Sequence, residues 1–96
     1  MFKELDPLLH SQLRLSLISL LVGVKEAEFS FLKDKTGATA GNLSVQISKL
    51  ADAGYVEVLK TFRENYPLTT CKITKKGIKA FETYVENLKQ YLQPGK

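Results

Sequence analysis

The chain has 96 residues, of which 44% are hydrophobic and 25% charged, a composition typical of one small folded domain. A chain this short excludes most multidomain enzymes. The formal net charge is +4 and comes from one half, because residues 1–48 carry five basic and five acidic side chains whereas residues 49–96 carry nine and five. This excess is sharpest in residues 60–79, so we expect a polyanion such as nucleic acid as a partner.

Several functional classes are disfavoured by what the chain lacks. The single cysteine cannot form an internal disulfide, so we expect the protein to reside in a reducing cytoplasm. One cysteine and one histidine also cannot supply the paired ligands of a metal site, so we expect no metal and no cofactor. No apolar run approaches the roughly 18 residues that cross a bilayer, and no signal peptide is evident, so we expect no membrane association. Neither a nucleophile–histidine pattern nor a glycine-rich phosphate loop is present, which disfavours an enzyme.

We predict one domain over residues 1–96, mainly α-helical with a small β-hairpin. The first helix is predicted over residues 6–22, because Asp6 can accept hydrogen bonds from unpaired amides and Pro7 suits the first helical position. Its leucines and isoleucine cover more than one face of the cylinder. In so short a chain, we expect a second subunit to cover part of that surface.

A helix-turn-helix is predicted next. The second helix spans residues 28–36 and stops at Gly37, and the third spans residues 39–53 with Thr39 as its cap. Apolar residues in the third helix are spaced three and four apart, which places Leu43, Ile47 and Leu50 on its inner face. Two helices joined by a short turn that contains glycine are typical of this motif.

The pattern then changes to a hairpin and a last helix. Residues 55–73 contain two strand-like segments on either side of a turn at residues 63–67. A final helix is predicted over residues 74–92, capped by Thr74. Its apolar positions follow a coiled-coil-like seam of Ile78, Phe81, Val85, Leu88 and Leu92.

Three segments carry a resemblance to a known family. Residues 36–44, residues 49–56 and the Ile73-Thr74-Lys75-Lys76-Gly77 stretch with Phe81 are similar to the corresponding parts of small prokaryotic winged-helix regulators of the MarR/ArsR-like group. The resemblance implies a winged helix-turn-helix fold of the α+β class, double-stranded DNA as partner, and control of transcription. It places the third helix in the major groove and the hairpin, or wing, on the backbone or in the minor groove. The clustered cysteines and histidines of metal-sensing relatives are missing.

The candidate DNA-contacting residues follow from the outward positions of the third helix and from the wing. Small polar side chains would let the helix sit deep in the major groove, Val45 could meet a thymine methyl group, and Lys49 suits a phosphate. On the recognition helix the candidates are Thr39, Gly41, Asn42, Ser44, Val45, Gln46, Ser48 and Lys49. On the wing they are Lys60, Arg63, Asn65 and Lys72.

We expect a homodimer formed by the N- and C-terminal helices. A two-fold dimer would place two recognition helices roughly 34 Å apart, as a pseudo-palindromic operator requires. The candidate interface residues are Leu8, Leu15, Ile18, Val85, Leu88, Tyr91 and Leu92. If a small-molecule effector exists, its pocket should lie at this interface, because the chain has little other volume to spare.

The leading hypothesis is therefore a dimeric, sequence-specific regulator, expected to repress transcription by occupying its site. One alternative stays open. Related recognition helices often carry Arg or His where this chain has Val45 and Gln46, and the net charge is moderate. Both features would also suit a winged helix that binds another protein and no DNA.

Overall fold

The computed structural model describes residues 2–92, which form four helices and one three-stranded antiparallel sheet. The helices are α1 (Gln12–Val24), α2 (Phe29–Thr36), α3 (Ala40–Asp52) and α4 (Lys75–Leu92). The strands are β1 (Glu26–Glu28), β2 (Val56–Arg63) and β3 (Tyr66–Ile73), in the order β1-β3-β2. This is the α+β winged helix that the sequence predicts. The two ends of the predicted 1–96 domain, residue 1 and residues 93–96, lie outside the described residues.

The first helix differs from its predicted bounds, 6–22, at both ends. Asp6 caps a separate turn instead: its carboxylate accepts a hydrogen bond from the Leu8 amide at 2.9 Å, and its carbonyl accepts one from the His10 amide at 2.8 Å. Ser11 is then extended, so α1 begins only at Gln12. Its last residue is Val24, because Lys25 takes a φ of +75° and leaves the helix.

The sequence prediction missed β1, a strand of only three residues. Glu and Ala favour strands weakly, so the pattern of residues 26–28 gives little signal of a strand. The strand exists because β3 offers it a partner: Ala27 lies opposite Cys71, and the Ile73 amide donates to the Lys25 carbonyl at 2.9 Å. It converts the predicted hairpin into a three-stranded sheet whose central strand is β3.

The helix-turn-helix is formed by α2 and α3. Gly37 ends α2 in the left-handed region, with a φ of +71°, and the Thr39 side chain accepts a hydrogen bond from the Asn42 amide at 3.2 Å. The inner side of α3 is firmly anchored, because Leu43, Ile47 and Leu50 are all buried.

The wing is a regular ladder from the Val56–Ile73 pair to the Arg63–Tyr66 pair. Its turn is tighter than the predicted 63–67 segment, since only Glu64 and Asn65 separate the strands. Both residues have positive φ, +50° and +69°, as a two-residue turn of type I′ requires.

Two close contacts hold α4 against the base of the wing. The Thr74 hydroxyl accepts from the Gly77 amide at 3.0 Å and donates to the Gly54 carbonyl at 2.6 Å. At Gly77, a Cβ atom would lie 2.2 Å from the Tyr55 carbonyl oxygen, so only glycine fits.

The buried side of α4 is rotated relative to the predicted seam. Tyr84, which the seam placed to one side, is only 4% exposed, whereas Val85 is 36% exposed and Leu92 is 71% exposed. The core is built mainly by leucines of the three preceding helices and by the base of the sheet. Its fully buried members are Leu9, Leu17, Ile18, Leu21, Leu32, Leu43, Leu50 and Cys71.

Candidate nucleic-acid interface

The outer face of α3 is exposed along its whole length. Because the helix is anchored from one side, its opposite side presents small, polar or apolar groups to solvent, and Val45 is 51% exposed. We call this the α3 face; its exposed residues are Gly41, Asn42, Ser44, Val45, Ser48, Lys49 and Asp52. Thr39 lies at the start of the helix and is exposed, although its hydroxyl already accepts from the Asn42 amide.

Gln46 is placed differently from the other α3 candidates, because it is half-buried and its amide is already engaged. Its Oε1 accepts a hydrogen bond from Nη1 of Arg14 at 2.5 Å, and its Nε2 donates to Oδ1 of Asn42 at 3.0 Å. Sequence reasoning missed Arg14. Arg14 is the one charged residue of α1, and this was the available signal, since a cation needs polar partners when the helix packs.

An open groove of about 680 Å³ separates α3 from the wing. Ser44, Ser48 and Asp52 line it on the helix side, and Val58 and Lys60 line it on the sheet side. The groove brings one predicted wing residue, Lys60, onto the same surface as the α3 face. Asp52 adds the one acidic side chain among its lining residues.

The other wing cations lie on the opposite face of the sheet. Strand alternation puts Arg63 and Lys72 on the side away from Lys60. Arg63 forms an exposed ion pair with Glu28, at 3.0 Å, and Lys72 lies opposite carboxylate-bearing residues of both neighbouring strands. Asn65 sits in the turn at the tip. The structure therefore brings Lys60 toward α3 and leaves Lys72 apart from it, at the base of the wing.

The tip of the wing carries two aromatic rings that sequence reasoning did not include among the site residues. Phe62 is 76% exposed and Tyr66 is 75% exposed. The available signal was the presence of two large rings in and beside the predicted polar turn, Phe62 before it and Tyr66 within it. Exposed aromatic side chains beside cations suit contact with sugars and base edges.

Burial shifts two pKa values near the base of the wing. The pKa of the Cys71 thiol rises to about 11 because the thiol is desolvated in the core. Desolvation also raises the pKa of the Tyr55 hydroxyl to about 12, helped by its hydrogen bond to the Asp6 carboxylate. Neither residue is among those that line the α3 groove, so both belong to the scaffold.

The predicted dimer surface needs one correction. Ile18 is 0% exposed in the single chain, packed in its own core, so it cannot form an intersubunit contact. Leu8, Leu15 and Leu88 are half-buried, and Val85, Tyr91 and Leu92 are exposed. Tyr91 also makes contacts within its own chain: its ring stacks on Phe2, with centroids 4.8 Å apart, and its hydroxyl donates to the Lys3 carbonyl at 2.8 Å.

Residues 2–92 contain no group of three or more His, Cys, Asp or Glu side chains arranged to hold a metal ion. Over the same residues, none of the helices combines the length and the apolar character needed to span a bilayer.

Comparison with known proteins gives consistent matches over most of the chain. A family model described as winged helix DNA-binding domain matches residues 13–92. An uncharacterized protein of Methanocaldococcus jannaschii is 37% identical over 81 residues, which cover 84% of this chain and 88% of that protein.

Solved structures with the same fold are also similar. A transcriptional regulator homologue from Pyrococcus horikoshii OT3 superposes with a TM-score of 0.83 at 27% identity, covering 88% of this chain and 84% of that one. NadR in complex with 4-hydroxyphenylacetate superposes with a TM-score of 0.72 at 22% identity, covering 90% of this chain and 63% of that one. The second likeness shows the fold alone.

Proposed function

The chain belongs to the winged helix DNA-binding domain family, and from that premise we propose that it is a sequence-specific regulator of transcription that binds double-stranded DNA. The observation that carries the proposal is the α3 face, exposed along the helix and bordered by a basic residue of the wing across an open groove. The family is described as a DNA-binding domain, and the chain is not an enzyme.

In the proposed complex, α3 lies in the major groove. Gly41 and Asn42, in its first turn, are exposed and small enough for close approach, and the major groove, roughly 12 Å wide, admits a helix. Val45 meets a thymine methyl group, and Lys49, toward the other end of the face, pairs with a phosphate. The wing reaches the backbone or the minor groove with Lys60 and with the aromatic tip formed by Phe62 and Tyr66.

A homodimer completes the proposal. The end of α4 supports it, because Val85, Tyr91 and Leu92 leave apolar surface exposed in one chain. Two α3 helices roughly 34 Å apart would then read two half-sites of a pseudo-palindromic operator. Sedimentation should give twice the chain mass, and Leu92→Glu should shift the protein toward monomers. Monomers of the unaltered chain at micromolar concentration would refute this part.

We further propose that the protein acts as a repressor in the cytoplasm by occupying its operator. In vitro transcription from a template that carries the operator should fall as protein is added. An increase in transcript would assign activation instead.

The DNA-binding proposal is tested by fluorescence anisotropy with duplex DNA over a range of salt concentrations. Neutralised phosphates release counterions, so log affinity should fall with log salt at a slope of about −4 to −8 for several contacts per dimer. Lys49→Ala and Lys60→Ala should each weaken binding and make the slope shallower by about two, because each variant loses one phosphate contact in each subunit of the dimer.

Lys89→Ala is the matched control, because it removes the same charge from an exposed lysine of α4 that is paired with Glu86. Lys89 lies one helical turn from Leu92, so sedimentation first checks that the variant is still a dimer; affinity and slope should then both be unchanged. If the unaltered protein shows no salt-sensitive binding, and a single protein partner copurifies with it in stoichiometric amount, the interaction-module alternative replaces the proposal.

A further inference from the structure

A continuous chain of hydrogen bonds links α1 to the α3 face. Nη1 of Arg14 donates to Oε1 of Gln46 at 2.5 Å, and Nε2 of Gln46 donates to Oδ1 of Asn42 at 3.0 Å. Arg14 is half-buried and Asn42 is exposed, so this series of hydrogen bonds runs from the interior to the surface that would meet DNA. Only its last member, Asn42, is on the α3 face.

The direction of these bonds is dictated by Arg14. A guanidinium group has five N–H donors and no acceptor, so Gln46 must turn its oxygen toward it. The side-chain nitrogen of Gln46 then points to Asn42 and donates a hydrogen bond, which Asn42 accepts with its side-chain oxygen. With its oxygen directed toward Gln46, Asn42 presents its amide nitrogen, a donor, to an incoming base.

Arg14 is itself held in place from the other side. Its Nε donates to the Leu8 carbonyl at 2.6 Å. Leu8 is in turn fixed by Asp6, because the Leu8 amide donates a hydrogen bond to the Asp6 carboxylate. The same carboxylate accepts a hydrogen bond from the Tyr55 hydroxyl. These bonds on both sides of the guanidinium restrict the positions that Arg14 can adopt. The direction of every hydrogen bond in the series from Arg14 to Asn42 is therefore fixed.

We propose that Arg14 is a positioning residue that fixes the hydrogen-bonding polarity of α3, so that Asn42 presents donors and selects guanine rather than adenine in the major groove. Guanine offers two acceptors there, N7 and O6, whereas adenine pairs best with an asparagine that presents both its oxygen and its nitrogen. The oxygen of Asn42 is turned back toward Gln46. This inference rests on the proposed function, because it concerns which base the same helix reads.

The sharpest variant is Gln46→Glu, which keeps the size of the side chain and removes its donors. The introduced carboxylate would still accept from Arg14, but Asn42 would then have to donate to it and turn its oxygen outward. The preference should therefore move from guanine toward bases that present a donor in the major groove, adenine and cytosine. Because the added negative charge weakens binding to every duplex alike, the ratio of affinities for two duplexes isolates the change in preference.

Variants of Arg14 test the source of the polarity. Arg14→Lys keeps a donor without an acceptor, so the guanine preference should survive. In Arg14→Met no donor remains, so the side-chain amides of Gln46 and Asn42 can take either orientation. The affinities for guanine and adenine at this position should then differ by no more than about twofold. Arg63→Met is the matched control: it loses the same charge on the wing and should lower affinity without altering base preference.

Base preference is measured by selection from a randomised duplex pool, followed by titration of single-base variants. The position read by Asn42 is the one whose preference Asn42→Ala removes. In the unaltered protein, guanine there should bind about tenfold or more tightly than adenine, as expected for a good pair of side-chain hydrogen bonds. Adenine preferred by the unaltered protein, or an unchanged preference in Gln46→Glu, would overturn the inference.

A measurement without DNA separates this inference from the proposed function. In the free protein, the side-chain amide protons of Gln46 should exchange slowly with solvent, and Arg14→Met should speed that exchange while circular dichroism stays unchanged. Equal exchange in both proteins would overturn the role of Arg14 even if DNA binds. Absence of duplex binding would instead overturn the proposed function, together with the assignment of guanine.

Discussion

The two elements that would meet DNA are built in contrasting ways. α3 is tied to the rest of the chain along its whole inner side, where Leu43 and Leu50 are fully buried, and by the hydrogen bonds that reach Asn42. From Glu57 to Pro67, by contrast, the wing is exposed on both faces. Its outer half is held by its own ladder and by one exposed ion pair, between Arg63 and Glu28.

This contrast suggests a division of labour between the two elements. A helix anchored by core packing keeps its side chains in fixed positions, which reading base edges requires. A ribbon held by few contacts outside itself can adjust to the shape of the backbone and adds affinity more than selectivity.

The largest effect should come from removing the anchor of α3. Leu50→Ala leaves a cavity in the core, and we expect it to lower the free energy of unfolding by about 3 kcal/mol. Phe62→Ala at the wing tip removes a larger side chain that is mostly in water, so stability should change by less than about 0.5 kcal/mol. Urea denaturation measures both. Equal losses would show that the wing is packed as firmly as α3.

A second pair of variants makes the same substitution at the base of the wing and on α3. Gly77→Ala forces a methyl group into the Tyr55 carbonyl oxygen and should cost about 2–3 kcal/mol. Gly41→Ala meets nothing within 4 Å and should stabilise α3 by about 0.5–1 kcal/mol, because alanine favours helices. Thermal unfolding of both variants measures the two changes in stability. Destabilisation by Gly41→Ala would show that another part of the protein lies close to Gly41.

The last comparison concerns pH and sets the buried base of the wing against its exposed tip. The folded thiol of Cys71 keeps its proton to higher pH than the unfolded one, because burial raises its pKa from 9.0 to about 11. Stability from this group is therefore complete below pH 9 and falls as pH rises toward 11, by about 1–2 kcal/mol. Urea titrations at pH 8.5 and 10.5 should show the fall, and Cys71→Ala should reduce it. If Cys71→Ala loses as much stability between pH 8.5 and 10.5 as the unaltered protein, the loss comes from a group other than the Cys71 thiol.

Most of the fold was predictable because its signals are local. Helical spacing identified α3 and α4, Thr39 and Thr74 identified caps, and glycine marked the end of α2. The bounds of α1 and the existence of β1 were not predictable. Both depend on partners distant in sequence, since Asp6 uses its carboxylate on a turn and on Tyr55, and β1 forms only where β3 is present.

Prediction of the site was limited in the same way. Helical periodicity gave the outward residues of α3 correctly as a set, but it could not show that Gln46 is held by Arg14, 32 residues earlier. Nor could alternation along one strand show which wing cations lie near α3, because that depends on how the sheet is oriented. Ile18 was assigned to an interface because a helix apolar on several faces does not reveal which face the chain itself covers.

The most direct test of the account is an NMR titration of the ¹⁵N-labelled protein with duplex DNA that carries its selected site. If α3 reads the bases, the largest chemical-shift changes should occur at the backbone amides of Gly41, Asn42 and Val45, with smaller ones at the wing from Lys60 to Asn65. The amide of Cys71, at the buried base of the wing, should barely move. Shifts concentrated on the distal half of α4, with the α3 amides unchanged, would contradict this role of α3.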